Sequence, residues 1–314
     1  MKIINDLKYK FYKKNDEKQI IKLFKKTFKK KLSLTHWKWV FKKNPAGNNK
    51  LLLTLYKKKI IAQCASIKLN YKLYSKSKNF FRIQNFMVDM SFRGKNIASN
   101  ALKLLTLNII KKKNYIITFP NKNSLNIFLR NGYRKFDLFT YEMTLENKIS
   151  INKNIIIKNS KFIHFSNEDS NLIKSFLKGF SLFNLRNKNY LIWRYSKKYN
   201  KYKISRIYKD KNLIGLAILK FYPKDKSINI CELFYTKDHG ALSAILYAVI
   251  INSKINKPKR IKLWSMPHYT FHKNLLRLGF KKTNFKTNVC TYKNLPRKLK
   301  VKNFYLSMGD SDIY

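Results

Sequence analysis

Met87-Val88-Asp89-Met90-Ser91-Phe92-Arg93-Gly94-Lys95-Asn96-Ile97-Ala98 ends an apolar strand and opens an amphipathic helix. Ile83–Asp89 reads as a buried strand. Asn96 to Ile110 carries Ile97, Ala101, Leu104, Leu105 and Asn108 along one helical stripe. The join suits an anion. The first N–H groups of a helix have no intrahelical partner and lie at the positive end of its dipole. Small residues at Gly94 and Ala98 let a phosphate approach that backbone, and Arg93 and Lys95 add fixed positive charge. The chemistry read here is pyrophosphate binding. An ordinary strand-to-helix turn with a basic surface is the plain alternative.

Outward from this segment, strands and helices alternate. Helical spacing covers Asp16 to Phe28 and Leu34 to Phe41. Leu51–Tyr56 and Lys59–Leu69 flank a Lys-rich turn as a hairpin. Tyr115–Phe119 is a strand, Ser124–Asn131 a helix stopped by Gly132, and Arg134–Leu145 a strand. The later sequence repeats the order, with helices at Glu168–Phe180, Ala241–Asn252 and Thr270–Leu278. Its strands fall at Ile204–Tyr208, Leu213–Tyr222, Ser227–Tyr235 and Lys259–Trp264.

Three landmarks recur. Trp39-Val40-Phe41 returns as Trp193-Arg194-Tyr195, 154 residues on, and Lys59-Ile60-Ile61-Ala62 as Asn212-Leu213-Ile214-Gly215, 153 on. Pro120 followed by Gly132 returns as Pro267 followed by Gly279, 147 on. One match is chance; three in order at nearly one offset indicate duplication. The expected division is 1–148 and 149–314, each half an α/β layer with a mixed sheet.

Composition sets limits. In 314 residues, 45% are hydrophobic with 8 Gly and 6 Pro, which excludes global disorder. No run approaches the roughly 18 apolar residues of a membrane span. The charged segment from Met1 to Glu17 has no signal-peptide core, so a cytoplasmic protein is expected. Net charge is +54, a value that attracts polyanions. Yet only 10 of the 69 basic residues are arginine, and lysines run from end to end. Nucleic-acid readers lean on arginine, so AT-rich codon drift is favoured over a nucleic-acid partner. Cys64, Cys231 and Cys290 are too far apart for a ligand set, and His268 and His272, four apart, lack a third ligand; no metal is expected.

Arg93-Gly94-Lys95-Asn96-Ile97-Ala98, following Met87-Val88, resembles the acetyl-CoA pyrophosphate loop of the GNAT acetyltransferase superfamily, Arg/Gln-x-x-Gly-x-Gly/Ala. A second marker, Asn-x-x-Ala/Ser-x-x-x-Tyr-x-x-x-Gly-Phe, is matched in spacing by Asn121, Ser124, Phe128, Gly132 and Tyr133. The 28 residues from Arg93 to Asn121 leave room for the intervening helix and strand. The Trp-x-Trp pair at Trp37 and Trp39, Asn44-Pro45-Ala46-Gly47, and Gly309-Asp310-Ser311-Asp312 also resemble tandem-domain GNAT proteins of bacterial surface-sugar pathways. The resemblance implies two tandem GNAT-like domains, each a mixed twisted sheet flanked by helices. The first would bind acetyl-CoA through Met87, Val88, Arg93, Gly94, Lys95, Asn96, Ile97, Ala98, Asn121, Ser124 and Phe128. The second would be degenerate. The implied activity is acetyl transfer to a small-molecule amine, with an amino sugar of a surface-polysaccharide pathway as one acceptor.

The departures are specific. Asn96 replaces the central loop glycine, and Phe128 replaces the tyrosine that often protonates the leaving thiolate. Arg82, Gln84 and Asn85 stand where the family often places a basic glutamate, and Asp89 reads as a loop cap. In the second half, Glu232 to Gly240 carries no such loop. Glu232, Asp238, Asp310 and Asp312 could hold an amine acceptor or serve as a base; the plainer reading is that they cap turns and relieve self-repulsion. Two other functions stay open: an aminoacyl-tRNA-dependent transferase of similar tandem fold, suited to the charge, and a catalytically inactive binding protein.

Overall fold

The computed structural model describes residues 6–145, 149, 154–160, 164–196, 202–238, 240–253 and 258–311. The first series of elements is β1 (Lys8–Phe11), α1 (Glu17–Phe28), α2 (Leu34–Phe41), β2 (Lys50–Tyr56), β3 (Lys59–Leu73), β4 (Lys76–Val88), α3 (Ile97–Ile110), β5 (Tyr115–Thr118), α4 (Lys122–Arg130) and β6 (Tyr133–Thr144). The second is β7 (Ile155–Ser160), α5 (Asn167–Leu177), β8 (Leu182–Asn184), α6 (Lys188–Tyr195), β9 (Tyr202–Lys209), β10 (Asn212–Tyr222), β11 (Ser227–Tyr235), α7 (Ala241–Ser253), β12 (Arg260–Ser265), α8 (His272–Arg277) and β13 (Lys281–Tyr292). Apart from short 3-10 turns and β8, the two series are the same list.

The chain forms two compact units, and they trade a strand. The first takes the described residues up to Tyr71, then Lys76–Phe136 and Asn288–Lys298; the second takes Lys72–Ser75, Asp137–Thr287 and Leu299 onward. The division thus falls inside β6, not at 148, and the far end of β13 belongs to the first unit. Strand order in the first unit is β1-β2-β3-β4-β5-β13, and in the second β7-β9-β10-β11-β12-β6. Within each, β4·β5 and β11·β12 are the parallel pairs, joined through α3 and α7 as a parallel connection requires. The last pairing is antiparallel in both: Cys290 faces Thr118, and Arg260 faces Thr144.

The repeat reaches individual hydrogen bonds. Asp89 N–H donates to Ile61 O, and Thr236 N–H to Ile214 O. Trp37 N–H donates to Ser33 O, and Leu191 N–H to Asn187 O; Gly132 N–H donates to Leu129 O, and Gly279 N–H to Leu276 O.

Helix α3 carries the first unit's core. Ala101, Leu102, Leu105 and Ile109 are fully buried against Leu52, Cys64, Phe81, Ile83 and Ile116. Burying one such aliphatic side chain contributes about 1.5–3 kcal/mol, so this face fixes the helix. The stripe is rotated from the sequence reading: Leu104 is 41% exposed, and Leu102 takes its place inside. All three cysteines are buried and free. His268 lies in the turn before α8, so it shares no helix face with His272, whose Nδ1 is 3.1 Å from Ser265 Oγ. Among the described residues no three His, Cys, Asp or Glu side chains form a metal-sized group, and no helix is long and apolar enough to cross a membrane.

Candidate active site

Strand β4 delivers the backbone of the site. Asn85 adopts φ +49° in mid-strand, and its carbonyl accepts from Gln63 Nε2 at 3.1 Å. A left-handed residue inside a strand breaks the regular pleat. The ladder to β5 pairs Phe80 with Tyr115 and Phe81 with Ile116. The Thr118 hydroxyl then donates to Ile83 O at 2.8 Å. Beyond that point β4 runs on to Val88 without further rungs to β5. Met87 is buried, and Val88 packs beside Ile61, Ala62 and Ile97.

The loop after β4 takes the form an anion cradle needs. Met90–Phe92 make one 3-10 turn, Gly94 has φ +77° and Asn96 has φ +57°. Asn96 therefore supplies the left-handed backbone that glycine usually provides; asparagine visits that region more readily than other side chains. As N-cap of α3, Asn96 makes no side-chain capping bond, and the first helical bond runs from Asn100 N–H to Asn96 O at 3.0 Å. The donors ahead of Asn100 have no carbonyl one turn earlier to reach. A Cβ built on Gly94 meets nothing within 4 Å, so the cradle is open. Arg93 Nε lies 3.4 Å from Val88 O, and Lys95 stands over the Phe92 ring.

Asp89 is a clamp. Its carboxylate accepts from Lys26 Nζ of α1 at 2.7 and 2.8 Å and from Ser91 N at 3.2 Å. Burial alone would raise its pKa, but Lys26 and the Ser91 N–H outweigh burial and hold it below the ordinary carboxylate range. A group so held is a poor base at neutral pH. Because the folded pKa is depressed, the stabilisation is present above the unfolded carboxylate value, about 3.9, and is lost as pH falls through the lower folded value. Asp89→Asn is expected to cost about 1 kcal/mol at pH 7, since Lys26 is half exposed. Urea denaturation should show that difference shrinking as pH falls below the unfolded carboxylate value, about 3.9.

Helix α4 borders the loop. Asn121 caps it, its side chain accepting from Ser124 N at 3.0 Å, and Asn131 Nδ2 donates to Ser99 Oγ of α3 at 2.9 Å. Phe128 is buried and packs edge-on against Phe86 and Tyr133. It offers no proton, and Tyr133 spends its hydroxyl on Thr106, 2.6 Å away. The described loop thus combines N–H donors and cations with no general acid.

The second unit keeps the frame and fills the place differently. β11 carries a bulge, since Ile218 pairs with Glu232 and Leu219 with Ile230. The turn after it is tied by Lys209 to Asp238 at 3.0 Å and by Asp238 N–H to Thr236 Oγ1. Glu232 and Asp310 meet around Arg186: Nε donates to Glu232 at 3.0 Å and Nη2 to Asp310 at 2.6 Å, with all three side chains fully buried. Tyr195 and Ser307 donate to Glu232 at 2.7 and 2.9 Å. Arg194 donates to the carbonyls of Gly309 and Ser311, so the Trp-Arg-Tyr and Gly-Asp-Ser motifs bind one another. Burial opposes the Arg186 charge, but Asp310 and Glu232 outweigh it and raise its pKa. Glu232 and Asp310 are therefore bound within a buried structural cluster; Asp312 lies outside the described residues. Sequence reasoning missed Arg186 and Lys26, which complete these two clusters.

No protein-family model and no curated protein sequence matches the chain. Solved structures match its fold. A probable N-acyltransferase from Enterococcus faecalis V583 aligns with TM-score 0.72 at 12% identity, covering 91% of this chain and 72% of that one. A GCN5-related N-acetyltransferase from Anabaena variabilis gives TM-score 0.67 at 11% identity over 91% and 72%. Saccharomyces cerevisiae N-myristoyltransferase, solved with myristoyl-CoA, gives 0.60 at 10% over 93% and 79%. At such identities the likeness establishes the fold alone: this chain shares the mixed α/β architecture of these solved acyltransferase structures over most of its length.

Proposed function

We propose that the protein is an acyltransferase of the GNAT type that moves an acetyl group from acetyl-CoA to a small-molecule amine, an amino sugar of a surface-polysaccharide pathway being one such acceptor. The observation that carries this reading is the Gly94–Asn96 turn, left-handed at both residues and opening α3 with its N–H groups free of helical partners. The first compact unit would hold the donor and the second would be the degenerate copy. Arg93, Gly94, Lys95, Asn96, Ile97 and Ala98 would cradle the pyrophosphate. Met87 and Val88 would line the pantetheine, and Asn121, Ser124 and Phe128 the far wall.

In the reaction, the neutral amine attacks the thioester carbonyl, a C–N bond forms, and the C–S bond breaks. Backbone N–H groups beside Val88 would stabilise the oxyanion. The amine gives up one proton and the thiolate takes one; with Asp89 clamped and Phe128 apolar, water carries both. Positioning supplies the rest of the rate.

Calorimetric titration with acetyl-CoA tests the proposal, one site per chain being the expected result. The charge of +54 favours a second reading, a tRNA-borne donor. Tight, RNA-selective binding at about 0.15 M salt with no acetyl-CoA binding would establish it. Under the first reading, RNA affinity is unselective and falls steeply with salt.

A further inference from the structure

At the other end of α3 from the loop, the first unit holds a groove of about 690 Å³ lined in part by Lys50, Lys68, Lys112, Phe11, Phe81 and Asn108. Asn108 is eleven residues along α3 from Ile97, about 16 Å at 1.5 Å per residue. The groove is therefore separate from the pyrophosphate cradle.

Where Lys26 and Lys209 are held by carboxylates, Lys50 is held by an uncharged amide. Its ammonium donates to Asn108 Oδ1 and lies 5.9 Å from the ring centres of both Phe11 and Phe81. Burial lowers its pKa, and the charge of Lys112 lowers it further. None of the ion pairs among the described residues uses Lys50, Lys68 or Lys112. Two ammonium groups lining one groove, close enough for the charge of Lys112 to act on Lys50, one partly removed from water and neither in an ion pair, repel each other and favour a bound anion.

We propose that this groove is a second ligand site, built for a small phosphate-bearing molecule. A phosphomonoester carries about −1.5 to −2 at neutral pH and so answers both ammonium groups, where a single carboxylate answers one. The volume lies within the roughly 300–1,000 Å³ typical of small-molecule sites. It exceeds what a bare ion fills, and the Phe11 and Phe81 rings provide apolar wall for the ligand's body.

The experiment is calorimetric titration of the full chain with inorganic phosphate at fixed ionic strength, using Gly94→Asp to silence the loop. Saturable binding should persist in that variant. It should weaken about ten- to a hundredfold when Lys50→Met and Lys112→Met are added; Lys50→Arg should restore it. Lys112 is exposed, so Lys112→Met alone remains a usable variant if the Lys50 change disturbs folding, and it should weaken binding in the same direction. Loss of all phosphate binding in Gly94→Asp would overturn the proposal. So would unchanged affinity in the lysine variants, or binding of long RNA without any binding of inorganic phosphate.

Discussion

Arg186→Met is expected to destabilise the second unit by about 3–5 kcal/mol, because it leaves Glu232 and Asp310 buried without a cation. The melting transition should fall by on the order of 10 °C. Arg186→Lys should recover little. Arg186 reaches Glu232, Asp310, Ser307 and the Asn184 carbonyl through a planar fork, and a single ammonium cannot match that geometry. An independent approach to the same cluster is Gly309→Ala. A Cβ there would lie 2.0 Å from Tyr195 Oη and 2.5 Å from Glu232 Oε1, so the tail must shift to admit it. Scanning calorimetry checks both variants; a fall of less than about 2 °C for Arg186→Met would mean that the ion cluster contributes little to stability.

Gly94→Asp should abolish acetyl-CoA binding, weakening it at least about a hundredfold. The mechanism separates cleanly from backbone strain. At φ +77° any side chain costs about 1–2 kcal/mol, but a Cβ at Gly94 touches nothing within 4 Å. Gly94→Ala therefore measures strain alone and should weaken binding only modestly, whereas the aspartate puts a negative charge where a pyrophosphate would sit. Equal affinities for the aspartate variant and the unaltered protein would remove the loop from the site.

Much of the fold was legible because its signals are local. The stretch from Met87 to Ala98 reads as strand, turn and helix, and the offsets at Trp39, Lys59 and Pro120 predict the copied hydrogen bonds. The exchanged strand was not legible. β13 runs KKTNFKTNVCTY, whose lysines and asparagines mask an alternating pattern, and nothing local says which sheet its Asn288 end should join. β7 and β8 were missed for a similar reason: they are short, and β8 is three residues held by a long-range bridge from Leu182 to Phe304. The buried cluster did leave a trace. In a chain where lysine fills most basic positions, arginine stands where one side chain must bond several acceptors at once. Arg186, Arg194 and Arg206 all do so, Arg206 gripping Asp169 with two nitrogens at 2.8 Å. Reading the ten arginines first would have found the centre of the second unit.

The traded strand also sets a timetable for synthesis. The ribosome delivers the chain from its N-terminus, so β5 is complete at Thr118, 170 residues before the strand that seals its edge begins at Asn288. Until then the nascent first unit presents an unpaired edge, the kind of surface that recruits foreign strands. A ribosome-bound chain stopped at residue 148 should therefore be held by chaperones or aggregate, and the sheet carrying the Arg93–Ala98 loop would be complete only once Tyr292 had been made.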